Sequence, residues 1–232
     1  MKNTLKKISE SDLYPDKAYY DLLGDSHVLH NINTPIRPDA FTLTDDEKIA
    51  QIELHFKAIM EILGLDLNDD SLCGTPYRVA KMYVKEFFQG LHPENKPSVT
   101  LFENTYNYKE ILIERNISFH SNCEHHFVPI TGKAHVAYIP KDKIIGLSKI
   151  NRLVQYYARR PQVQERLTLQ IANEMLQTLQ TPDVAVLLVA DHACVASRGV
   201  GDQQSSTVTA KYFGKFEQAD FRNEFLRMIK IE

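Results

Sequence analysis

Seven consecutive apolar residues, Val184 to Ala190, form the longest such run in the chain. The run is far shorter than the ~20 residues of a membrane-spanning helix. It is also too uniformly apolar for a strand with one wet face, so it predicts a central strand covered on both sides. The remaining elements must be arranged around that strand. A chain of 232 residues supplies enough material for one domain, or one domain with a helical appendage. Hydrophobic residues at 43% and charged residues at 25% exclude a disordered, collagen-like or coiled-coil chain. Lys and Arg total 27 against 30 Asp and Glu, a net charge of −3. That balance argues against nucleic acid as a partner, so any anionic ligand must be held by a local basic patch. The first ten residues carry Lys2, Lys6 and Lys7 with no apolar stretch behind them, which predicts a cytoplasmic protein with no membrane contact. Three cysteines, Cys73, Cys123 and Cys194, are too few and too odd in number for a disulfide scaffold.

Residues 1–43 lack sustained periodicity and read as an N-terminal arm. Thr44-Asp45-Asp46-Glu47 has capping-box spacing and opens a helix with Ile49, Ile52, Phe56, Ile59, Met60 and Leu63 on one face, closed by Gly64. A second helix starts at Pro76 and runs toward Gly90. The two form a helical hairpin over 44–91, followed by a linker over 92–110. The domain over 111–232 begins with a long strand whose expected inner face is Ile111, Ile113, Ile117 and Phe119, and a second strand covers Ala134 to Ile139. Ser148 is expected to cap a third helix, and a fourth follows Pro161 with Val163, Leu167, Ile171, Met175 and Leu179 inward. The apolar run, a last strand over Ser205 to Phe213 and a short C-terminal helix complete the chain. This order predicts an α+β fold: four antiparallel strands with helices on one face and open edges that an oligomer could pair.

Cys123 and His126 lie at C-x-x-H spacing, and His192 and Cys194 at H-x-C spacing. Thiolate and imidazole are the ligands zinc prefers. On an extended segment residues two apart share a side, which would let His192 and Cys194 enter one pocket. Other readings of these residues are buried apolar cysteines, a redox pair of Cys123 with Cys194, and a closed structural site with Cys73 as fourth ligand. An open site leaves a position for a water whose pKa can fall to about 7 and which attacks an electrophilic carbon. Ser148 and Lys149 begin a helix with Arg152 one turn on, an arrangement suited to phosphate, and Arg198 brings a cation near the metal pair. Arg78 and Lys81 lie on the earlier helix. Gln164 and Glu165 supply acceptors that could read the N–H donors of a purine edge. Spacing alone thus points to a zinc hydrolase acting on a phosphorylated compound.

Several longer segments carry a resemblance. Ser121-Asn122-Cys123-Glu124-His125-His126-Phe127 and Arg160-Pro161-Gln162-Val163-Gln164-Glu165-Arg166-Leu167-Thr168 resemble the two signatures of the GTP cyclohydrolase I family. Gly146 to Arg152, Thr75 to Tyr83, His192-Ala193-Cys194 and Arg198-Gly199 match further, in family order. The resemblance implies hydrolysis of GTP to 7,8-dihydroneopterin triphosphate and formate, the entry step to folate and other pterins. It implies zinc on Cys123, His126 and Cys194, with a water in the fourth position attacking C8 of the guanine. His192 would act as acid and base, and His125 would line the pocket. Glu165 with Gln164 would read the guanine, and Ser148 would hold the ribose or adjoining phosphate. Lys149, Arg152 and Arg198, with Arg78 and Lys81 from another subunit, would bind the triphosphate. The implied architecture is the T-fold, or tunnelling fold, in which sheets from several subunits close a barrel and two pentamers stack into a homodecamer. Two rivals stand beside this reading: a zinc-stabilised oligomeric module that binds a regulatory nucleotide, and another T-fold enzyme acting on pterins or deazapurines.

Overall fold

The computed structural model describes residues 32–230. Most of the expected arm, residues 1–31, lies outside the described residues. The first helix, α1 (Asp45–Ile62), opens on a capping box: the Thr44 hydroxyl accepts from the Glu47 N–H, and the Glu47 carboxylate accepts from the Thr44 N–H at 2.8 Å. Its apolar face is only partly used. Ile49 and Met60 are buried, but Ile59 and Leu63, expected inward, are exposed together with Leu54 and Ile62. Nothing among the described residues of this chain covers that stripe. The second helix, α2 (Thr75–Met82), begins one residue before Pro76 and then widens into a π-helical turn, Tyr83–Phe87. The wider turn re-aims a run of aromatic side chains, and such turns recur beside functional sites. Here it brings Tyr83 and Phe88 against Phe127, with ring centroids 6.5 and 5.2 Å apart.

The hairpin is fastened to the domain at Gly90. The Gly90 N–H donates to the Arg159 carbonyl at 2.9 Å, and a Cβ at this position would sit 2.0 Å from the Tyr156 carbonyl oxygen. Only a residue without a side chain allows that approach. The Arg160 guanidinium lies over both Tyr156 and Tyr157 and donates from Nε to the Gly90 carbonyl at 2.7 Å. The expected linker is not featureless, because β1 (Leu101–Glu103) pairs with a later strand.

The main sheet is built from β2 (Leu112–Cys123), β3 (Pro129–Tyr138), β5 (Pro161–Gln162), β6 (Val184–His192) and β7 (Thr207–Phe213), in the order β5-β2-β3-β6-β7. The partner of β1 is β4 (Lys143–Ile145), in a separate ribbon. The expected sheet of four antiparallel strands is therefore corrected to five, with the two-residue β5 parallel to β2. The apolar run lies within β6, which is flanked by β3 and β7 and buried on both faces, as its composition demands.

Two further expectations are corrected by β2. Glu114 pairs with Val136 and Ile117 with Ala134, so Arg115 and Asn116 together oppose the single residue His135. Asn116 adopts a left-handed φ of 59°. This bulge reverses the alternation. Leu112 before it and Ile117 and Phe119 after it face one core with Ala134, Val136 and Tyr138, while Ile111 and Ile113 face the other with Ala137 and Ile139. The helices are likewise not all on one face. Helices α3 (Leu147–Ala158) and α4 (Gln164–Leu179) cover the first core, and the C-terminal helix α6 (Ala219–Ile229) covers part of the second through Phe225. Between them, α5 (Ala193–Ala196) is a single turn after β6. Arg115, at the bulge, donates to the Met228 and Ile229 carbonyls and so caps the end of α6. Ser148 is not a cap: α3 starts at Leu147 with Gly146 as its cap residue, which places Ser148 inside the first turn.

Candidate active site

Strand β3 separates β2 from β6, and both neighbours run antiparallel to it. The ends of β2 and β6 therefore emerge on one edge of the sheet, two strand spacings or roughly 10 Å apart. Cys123 is the last residue of β2 and His192 the last of β6. After Cys123 the chain closes a tight turn: the Phe127 N–H donates to the Cys123 carbonyl at 2.8 Å, and the Cys123 N–H to the Val128 carbonyl at 2.9 Å. Phe127 takes a left-handed φ of 55° to complete it. Such a conformation costs a non-glycine residue about 1 kcal/mol or more, and the packing of its ring on Tyr83 and Phe88 opposes that cost. The turn places His126 Nδ1 3.7 Å from the Cys123 sulfur.

Cys194 completes the cluster. The ligand atoms of Cys123, His126 and Cys194 all lie within 4.8 Å of one another. It reaches them from the helical turn α5 rather than from an extended strand, so alternation is not what aims it. His192, on the strand, turns instead toward Gln164. All three cysteines are free thiols, and Cys73 is exposed, with its sulfur donating to the Asp70 carbonyl at 3.4 Å. Cys73 is not part of the cluster. Burial and the adjacent Cys123 thiol push the Cys194 pKa up, because two neighbouring thiolates cannot share a half-buried site without a cation. The donor set fits zinc. Tetrahedral ligation with sulfur at ~2.3 Å and nitrogen at ~2.05 Å sets these atoms about 3.6 Å apart, close to the 3.7 Å found. With three protein ligands, one tetrahedral position stays open.

The surrounding charges are arranged in pairs. Glu124 makes a bidentate ion pair with Arg166, whose Nη2 donates to Oε1 at 3.1 Å while Nη1 contacts Oε2. The same Oε1 lies 3.6 Å from His125 Nε2. Neither Glu124 nor the acid-paired character of Arg166 is visible in the spacing, since the partners are far apart in sequence. Arg198 Nη1 contacts His126 Nε2. Burial lowers the His192 pKa, while Glu165 and Asp191 oppose it. Glu165 is exposed in the first turn of α4, next to the buried Gln164.

The other expected contacts are distributed elsewhere. Arg78 Nη2 donates to the Ser71 carbonyl at 3.0 Å and to Thr75 Oγ1 at 2.8 Å, and Lys81 is exposed on α2. Ser148 and Lys149 lie at the opposite end of the sheet from the cysteines. Asn151, one turn on, donates to Glu114, and Glu114 precedes Cys123 by nine positions of β2, or roughly 30 Å. Arg152 is exposed beside a cavity of about 240 Å³ lined by Gly90, Asn95, Tyr156 and Arg159. One chain does not bring Ser148 and Lys149 to its own metal cluster.

Comparison with known proteins bears on this arrangement. The sequence pattern of the family described as GTP cyclohydrolase I matches residues 52–230. The chain is 53% identical to "GTP cyclohydrolase 1" of Flavobacterium johnsoniae over 94% of its own length and 97% of that protein. It is 54% identical to the protein of the same name from Aeromonas salmonicida, over 86% of this chain and 91% of that one. A third such relative, from Salmonella arizonae, is 49% identical over 90% and 95%.

Proposed function

The chain belongs to the GTP cyclohydrolase I family, an enzyme family of pterin biosynthesis, and on that premise we propose how its residues carry out the hydrolysis of GTP to 7,8-dihydroneopterin triphosphate and formate. The observation that carries the proposal is the convergence of Cys123, His126 and Cys194 at the edge where β2 and β6 end. These three residues would hold zinc, which would supply Lewis-acid chemistry and activate water there.

The chain's own groups do the rest. His192, whose pKa burial lowers, takes a proton and returns it as the purine ring opens. His125 lines the pocket with its ring oriented by Glu124. Glu165 faces the guanine N1–H and 2-amino group as an acceptor. Both amide hydrogens of Gln164 are committed inside the protein, so reading the base falls mainly to Glu165. For His126 to ligate through Nδ1, its ring proton must sit on Nε2. Arg198, which only donates, then loses its acceptor there and is released toward the triphosphate.

The triphosphate site is shared between copies. Ser148, Lys149 and Arg152 of one copy meet the metal edge of another, and Arg78 and Lys81 add positive charge from α2. The exposed stripe Leu54, Ile59, Ile62 and Leu63 on α1 and the open edge at β7 supply surfaces for such an assembly, which we assign as a decamer of two pentamers closing a T-fold barrel. No helix among the described residues is long and apolar enough to cross a membrane. Paired free thiols at the site suit a reducing cytoplasm. Incubating the zinc-loaded protein with GTP should release formate and, after oxidation, a fluorescent pterin. Absence of both products from zinc-replete protein would reject the proposal.

A further inference from the structure

Gln164 lies in the first turn of α4 with 2% of its surface exposed. Its Nε2 donates to the Thr207 carbonyl at 2.9 Å, to Thr209 Oγ1 at 3.1 Å and to the Leu188 carbonyl at 3.3 Å. Backbone carbonyls only accept, so the end of the amide facing β6 and β7 must be the NH2 group. Turning the amide over would set its oxygen against two carbonyl oxygens inside the protein, leaving buried acceptors unsatisfied. The other end, Oε1, therefore faces His192 Nε2, 2.7 Å away. An amide oxygen also only accepts, so His192 Nε2 carries the hydrogen.

The hydroxyls nearby lock this polarity. Thr168, 2% exposed, donates its only hydroxyl proton to the Gln164 carbonyl at 2.9 Å. In its 2.7 Å contact with Thr209 it must then accept. Thr209 spends its proton there and can only accept from Gln164. The roles of both hydroxyls and the polarity of the Gln164 amide are thus fixed, anchored on the Gln164, Leu188 and Thr207 carbonyls, with the two amide hydrogens shared among three acceptors.

We propose that Gln164, held by Thr168 and Thr209, is a positioning residue that fixes the His192 imidazole as its Nε2–H tautomer and so makes Nδ1 the nitrogen that exchanges protons with the substrate. The inference rests on the reading of His192 as the proton-transfer group. In the step itself the proton released by the attacking water passes to Nδ1, the Nε2–H bond to Gln164 is kept throughout, and Nδ1 returns the proton to the departing ring nitrogen. The imidazole ends as it began. Gln164 thereby acts on turnover through His192, and choice of base is left to Glu165.

The test uses zinc-loaded full-length protein labelled with ¹⁵N-histidine, with the His192 signals identified by their loss in His192→Ala. Wild type should show the nitrogen shifts of a neutral Nε2–H ring. Gln164→Met should give a mixture of tautomers and a kcat lower by at least ~10–100-fold, the range seen when a metal-bound imidazole loses the partner that orients it. Zinc content and the preference for GTP over ATP should be unchanged. Thr209→Val, on a half-exposed edge strand and less disruptive, should shift the same signals and lower kcat to a smaller degree. A Nδ1–H ring in wild type would overturn the proposal, as would unchanged kcat in both variants. Loss of GTP preference at normal kcat in Gln164→Met would return Gln164 to base reading. Wild-type turnover in His192→Ala would instead refute the proton-transfer reading, while the tautomer assignment would still be decided by the spectrum.

Discussion

The ion pair between Glu124 and Arg166 offers a quantitative test of how the metal edge is held. The Arg166 side chain is 6% exposed and that of Glu124 17%, in a two-pronged contact one residue after Cys123. Removing one partner of a buried ion pair typically costs about 3–5 kcal/mol. For a domain of this size each kcal/mol moves Tm by about 2–4 °C, so Glu124→Leu should lower Tm by roughly 6–20 °C. Replacing both partners, Glu124→Leu with Arg166→Met, removes the desolvation penalty along with the attraction. The double variant should recover most of the loss. Because Glu124 directly follows Cys123 and lies 3.6 Å from His125, the proposed zinc affinity should fall by ~10–100-fold in the single variant. The assay is thermal unfolding of the four proteins in the cycle, at one protein concentration and with zinc saturating, beside competition with a chelator. A Tm change under about 2 °C in Glu124→Leu, or a double variant no more stable than either single one, would show that the pair carries no such burden.

Cys123→Ser and Cys194→Ser should each lose bound zinc and turnover, while Cys73→Ser keeps both; elemental analysis decides, and loss of zinc from Cys73→Ser would mean a closed four-ligand site. Mixing Lys149→Ala with His192→Ala under conditions that exchange subunits should restore activity, because some sites then combine an intact Lys149 from one copy with an intact His192 from another. No recovery despite proven exchange would place Lys149 outside the shared site. A pH effect follows from His135, which is 4% exposed and accepts from the Asn116 N–H at 3.4 Å. Burial, with Lys133 and Arg115 nearby, holds its pKa below 6.5. The unfolded chain then binds the proton more readily, so this stabilisation is complete above pH 6.5 and is lost as pH falls through the lower folded value. Urea midpoints should rise from about pH 5 to about pH 7.5, and His135→Gln should flatten that step.

The parts legible in the sequence are those whose causes are local. Thr44 and Glu47 cap one helix end within four residues, and C-x-x-H closes a turn whose hydrogen bonds all lie between Cys123 and Val128. The apolar run of β6 announces its own burial. What stayed hidden depends on distant partners or on one broken alternation. Asn116 in its left-handed conformation shifts the face of every later residue of β2, so period-two counting assigned Ile111 and Ile113 to the wrong core. The Glu124 to Arg166 pair spans 42 positions. Gln164 carries the residue type of a base reader, and only the carbonyls of β6 and β7 show that its amide hydrogens are already taken.

The bulge at Asn116 also sets how deep the metal edge sits. A strand with unbroken alternation can slip by two residues and still bury the same kind of face. With the extra residue seated opposite His135, a slip by two would keep every face but carry the left-handed Asn116 away from His135, whose Nδ1 accepts from the Asn116 N–H at 3.4 Å. The bulge therefore works like a pin in a sliding rail. Cys123 lies seven positions downstream of it, so its place along the edge of the sheet is set by the strand's own register.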